Sequence, residues 1–121
     1  MDYCIVIKRA GTLLIPDFFR QLVMLWPMAR IEPFEDPRSH AFFEFELPMN
    51  ESTLCGSVDQ NGKAVVIHSG GPRDCADFAY GCRSLIAPAE EVVFCDDSVS
   101  MDFVLKSGMS SADIAQIVLS S

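Results

Sequence analysis

Apolar positions along this chain switch between period two and a helical period several times, and each switch marks an element. Tyr3–Ile7 (YCIVI) is apolar on both faces and bounded by Lys8 and Arg9, the pattern of a strand inside a sheet rather than at its edge. Pro16 opens DFFRQLVMLW, where Phe18, Leu22 and Leu25 with Phe19, Val23 and Trp26 recur at helical spacing until Pro27 stops them. The apolar band is wide, so this helix is expected to lie across a sheet with Arg20 and Gln21 facing water. Residues 28–33 suit a short strand, and Glu32-Pro33-Phe34-Glu35-Asp36-Pro37 a surface loop, because proline continues neither a ladder nor a helix. Residues 42–47 (FFEFEL) alternate, with Phe43, Phe45 and Leu47 on one face and Glu44 and Glu46 on the other, as in a strand with one wet side.

The strongest local signal lies within residues 53–80. Asn61-Gly62 between two apolar runs predicts a hairpin with a type I′ turn, since both central residues need φ > 0. That turn sets Gln60 opposite Lys63, Val58 opposite Val65 and Gly56 opposite Ile67. Leu54, Val58, Val65 and Ile67 then share a core face, and Asp59, Ala64 and His68 take the other. Ser69-Gly70-Gly71 breaks the strand and Pro72 suits the first position of a helix. In that helix Cys75, Phe78, Ala79, Cys82 and Ile86 form one stripe. Val92, Val93, Phe94 and Cys95 read as a buried strand, Asp96-Asp97-Ser98 as a turn, and Met101, Phe103 and Leu105 as a last alternating strand. A final helix begins at Ser110, with Asp113 in the capping-box position and Met109 and Ile114 as a hydrophobic staple. The order β, α, β, β, β, β, α, β, β, α lacks regular alternation and predicts an α+β fold. It is read as one domain spanning residues 1–121, a mostly antiparallel sheet with about three helices packed on it.

Composition narrows the function classes. A chain of 121 residues buries roughly two thirds of its unfolded surface. The net charge of −8 argues against nucleic acid or an anionic membrane as partner, since both are bound through basic patches. No apolar run approaches the length of a bilayer span. The five cysteines, Cys4, Cys55, Cys75, Cys82 and Cys95, show no paired short spacing, and the chain reads straight into a strand without a leader. Reduced thiols in a cytoplasmic protein are the expectation.

No cluster spells out a known chemistry, so no catalytic residue, cofactor or metal is assigned. The Gly70-Gly71 corner with Arg73 and His68 is the best small-molecule candidate, because a strand-to-helix turn can present N–H groups to an anion or nucleotide. It has neither a P-loop ending nor a dinucleotide fingerprint, and Asp74 and Asp77 bring the wrong charge. Cys75 with His68 would make a thiol nucleophile and its base, against the tendency of free cysteine to be buried. No cysteine or histidine pair has zinc spacing, and Asp96, Asp97 and Asp102 lack the glycine turn and distal Glu of a calcium loop.

Charge layout is the remaining signal. Residues 32–59 hold seven acids against Arg38, and residues 90–102 hold five acids and no base, while the rest of the chain sums to +3. Carboxylates gathered on a rigid sheet face can speed the capture of a basic protein on the order of a hundredfold or more at low salt. Glu35, Asp36, Glu44, Glu46, Asp59, Asp96 and Asp97 are the candidate contacts. In its size, acidic α+β character, thiol usage and the strand FFEFEL, the chain resembles the small immunity proteins of bacterial contact-dependent growth inhibition and related toxin systems. That resemblance implies a cytoplasmic protein, a monomer or weak dimer when free, that binds a cognate basic toxin, often a nuclease, and blocks it. A small enzyme using the glycine corner and a homo-oligomer joined by an apolar helix or edge strand are the other readings.

Overall fold

Strands in the middle of the chain pair with their sequence neighbours, and the earliest strand does not. In a computed structural model that describes residues 3–7, 15–33, 41–59, 64–96 and 102–120, the elements follow the expected order. They are β1 (Tyr3–Ile7), α1 (Ile15–Leu25), β2 (Arg30–Pro33), β3 (Ala41–Pro48), β4 (Thr53–Asp59), β5 (Ala64–Ser69), α2 (Pro72–Ser84), β6 (Val92–Asp96), β7 (Asp102–Val104) and α3 (Ser111–Ser120). The fold is α+β. One seven-stranded sheet runs β2-β3-β4-β5-β1-β6-β7, and every pairing is antiparallel. β1 sits between β5 and β6, the interior place that its two apolar faces require.

The Asn61-Gly62 turn lies outside the described residues, but the ladder beside it has the expected register, Val58 with Val65 and Gly56 with Ile67. One step further the register slips, so that Cys55 faces Ser69 and His68 is the extra residue of a β-bulge. Gly56 makes the close packing here possible: a Cβ on it would run into the carbonyl oxygen of Val66 and the ring of Phe45.

Strand alternation sorts the sheet into a dry and a wet face. Ile5, Ile7, Phe45, Leu47, Leu54, Val58, Val65, Ile67, Val92 and Phe94 are buried together with Phe18 and Leu22 of α1, Phe78 and Cys82 of α2, and Ile114 and Val118 of α3. Aromatic rings join the layers. Phe78 stacks on Phe45 at 5.3 Å and meets Trp26 at 5.5 Å, and Phe19 meets Phe43 edge-on at 4.8 Å. The described helices thus cover one face of the sheet and leave the other open.

The wide apolar band of α1 is only half used. Phe18, Phe19 and Leu22 are buried, whereas Val23, Leu25 and Met24 are 40%, 46% and 77% exposed, as is Met28 beyond the helix at 74%. The segment behind α2 is fixed by a charge. Arg83 is 4% exposed and donates hydrogen bonds to the backbone oxygens of Leu105, Ile86, Ala87, Pro88 and Glu90 at 2.8–3.3 Å. Burial pushes its guanidinium below its ordinary pKa, and Glu90 pulls the other way. No helix among the described residues is long and apolar enough to cross a membrane.

Candidate functional site

The open face is built from one lateral row that crosses all seven strands. In register it reads Glu32, Glu44, Ser57, Val66, Cys4, Cys95 and Asp102. Seven strands at about 4.8 Å spacing place the outer carboxylates about 29 Å apart. Between them lies an apolar lane, with Val6 and Val93 paired in the next row and Val93 in turn beside Val104. Carboxylates at both ends and aliphatic side chains between them make a surface with a dry centre and a charged rim.

At the β2–β3 end Glu32 and Glu44 stand directly opposite each other, and like charges in that position repel. Arg30, opposite Glu46, reaches Glu46 at 3.6 Å and Glu32 at 3.5 Å, so these four exposed side chains carry a net −2. Beside them is a depression of about 300 Å³ lined by Arg30, Glu32, Glu44, Glu46, Cys55 and His68. The bulge turns the His68 ring toward β4, where its Nε2 lies 3.0 Å from the hydroxyl of Ser57. Ser57 is 6% exposed. The register predicted from Asn61-Gly62 already puts Ser57 opposite Val66 and so diagonal to His68 on one face; the bulge itself is the unannounced feature, with the glycine inside β4 as its available signal.

The other candidate acids separate. Asp96 continues the parity of Val92 and Phe94 and is 4% exposed on the core side, which removes it from any docking group. Asp102 is exposed on the open face, so Asp96 and Asp102 do not converge. Asp59 ends β4 opposite Ala41. Glu35, Asp36 and Asp97 lie outside the described residues. Among the described residues no three His, Cys, Asp or Glu side chains are grouped to hold a metal ion.

The glycine corner supplies its own anion. Gly70 has φ 154, and the N–H of Gly71 donates to Ser52 Oγ at 2.9 Å. That hydroxyl donates to Asp74 Oδ2 at 2.6 Å, and the Glu51 N–H donates to the same carboxylate at 3.1 Å. Asp74, 1% exposed, therefore stands at the start of α2 where a phosphate would sit. The adjoining groove sets Glu51, Asp74 and Asp77 against Arg73 alone, and Asp77 accepts a hydrogen bond from Ser111.

The thiol nucleophile also falls away. Cys75 is fully buried on the core side, while His68 is exposed on the opposite face. Burial, with Asp74 adding to it, pushes the Cys75 thiol up to about 11, and burial raises Cys82 in the same direction. A raised folded pKa means the native state keeps its proton after the unfolded chain has lost it near pH 9.0. Stability is therefore whole below pH 9 and falls as pH rises toward 11, by up to about 1.4 kcal/mol per pH unit for each thiol. Urea midpoints across that range should decline in wild type and decline less in Cys75→Ala. Unchanged slopes would contradict the burial of this thiol.

No family model, no curated protein and no solved structure matches this chain. The site is accordingly read from its own geometry.

Proposed function

We propose that this chain is a cytoplasmic binding protein of the immunity type, which neutralises a cognate basic toxin by laying its open sheet face on the toxin's cationic surface. The observation that carries this reading is the row across the sheet, with unbalanced carboxylates at its β2–β3 end, Asp102 at its β7 end and an apolar lane between. A cation from the partner, set between Glu32 and Glu44, would relieve a repulsion that the free protein bears. Carboxylates at the rim set the association rate and its salt dependence, and the apolar lane supplies the desolvated centre. A nuclease fits this arrangement well, because its substrate surface is basic and the carboxylates would take the place of phosphates.

The test uses the product of the neighbouring gene, with association measured at low and high salt. Glu44→Lys with Glu46→Lys is expected to slow association about 10–100-fold at low salt and to flatten its salt dependence. Equal rates for wild type and variant at both salt concentrations would refute the reading. Glu44→Lys alone should hold or slightly raise the thermal midpoint, since the new ammonium faces Glu32 and the pair is worth about 0.2–1 kcal/mol. Loss of binding in a variant that is no less stable separates a docking role from a structural one.

A further inference from the structure

Cys4 and Cys95 are Cα partners on adjacent antiparallel strands, and strand alternation puts both on the open face, where each is half-buried. Cα atoms of directly opposed residues in such a ladder are about 4.5–5.5 Å apart, inside the range of about 4.4–6.8 Å that a disulfide spans. Cys95 Sγ already lies over β1, 3.8 Å from the backbone oxygen of Cys4. None of the other thiols is so matched. Cys55 faces Glu46 and Ser69, and Cys75 and Cys82, both buried, are two helical turns apart on α2, about 10 Å by helical rise.

We infer that Cys4 and Cys95 form a dithiol that closes to a cross-strand disulfide by exchange with a small disulfide such as oxidised glutathione. One thiolate attacks a sulfur of oxidised glutathione, forming a mixed disulfide and releasing one glutathione thiolate. The opposing thiolate then attacks the protein sulfur of that mixed disulfide, forming the Cys4–Cys95 bond and expelling the second glutathione. The protein loses two protons and two electrons, and one oxidised glutathione becomes two reduced ones. The bridge closes a loop between residues 91 positions apart and ties β1 to β6, the fifth and sixth of the seven strands. It also replaces two polarisable thiols on the open face. This inference does not depend on what that face binds.

The full chain, folded, is incubated with excess oxidised glutathione, then denatured, alkylated and mapped by mass spectrometry. The expected result is a linked Cys4–Cys95 peptide two hydrogens lighter than the reduced pair, while Cys55, with no thiol opposite it, stops at a glutathione adduct. In Cys4→Ser, Cys95 should likewise stop at the adduct. The bridge should raise the wild-type thermal midpoint on the order of 10 °C, reversibly with dithiothreitol. Separate adducts on Cys4 and Cys95, both thiols still alkylatable when Cys55 is modified, or a bridge that lowers the midpoint would each overturn the inference.

Discussion

Replacing Arg83 with methionine is expected to cost about 3–5 kcal/mol, a large fraction of the whole stability of a domain this size. The five oxygens that its guanidinium addresses belong to Leu105, just past β7, and to the segment 86–90 that carries the chain from α2 into β6. Removing the fork leaves oxygens unpaired where water reaches poorly, at about 1–3 kcal/mol for each that stays buried. Methionine preserves much of the apolar stem, so the loss reports the hydrogen bonds more than the packing. Arg83→Lys should recover only a part, because an ammonium has three donors and no planar fork. Urea denaturation of the three proteins checks this, and a loss below about 1 kcal/mol for methionine would mean that the clamp is not what holds the segment.

Gly56→Ala should be nearly as harmful, at about 3 kcal/mol. The added methyl meets the backbone oxygen of Val66 and the ring of Phe45. The first is part of the β4–β5 ladder and cannot move without opening it. Phe45 is itself stacked on Phe78, so displacing its ring disturbs the contact between β3 and α2. Thermal denaturation with near-ultraviolet circular dichroism reads both effects. A variant with wild-type midpoint and aromatic signal would show that β4 tolerates a side chain at this point.

Alternation and the Asn61-Gly62 signal made the strands, their faces and the β4–β5 register legible, because these depend on near neighbours. Sheet order was not legible, since the placing of β1 between β5 and β6 joins residues about ninety positions apart and leaves no local trace. Reading Asp96 as part of a polar turn let composition override parity, which already put it in line with Val92 and Phe94. In α1 the spacing showed how wide the apolar band is but not where the core ends, and Val23 and Met24 fall beyond it. Within the site, Glu44 and Glu46 were legible from FFEFEL, whereas Glu32 joined them only through the pairing of β2 with β3. Ser57 and His68 are diagonal neighbours already in the predicted β4–β5 register, whereas the bulge at His68, which shifts one strand by a single residue, was not legible. Nothing in the sequence distinguishes Arg83 from an exposed cation at a helix end, because the oxygens it binds are brought to it by the path of the chain after α2.

The interior position of β1 has a consequence on the ribosome. This strand is translated early but pairs with residues 64–67 and 92–96, so at about 5–20 residues per second its second neighbour arrives roughly 5–20 s later. Until residues 64–67 emerge, Tyr3–Ile7 waits as a bare apolar segment beside the growing meander, and after it pairs with β5 one of its edges stays open until β6 follows. A holdase that covers this strand until both neighbours have emerged should therefore raise the yield of folded protein.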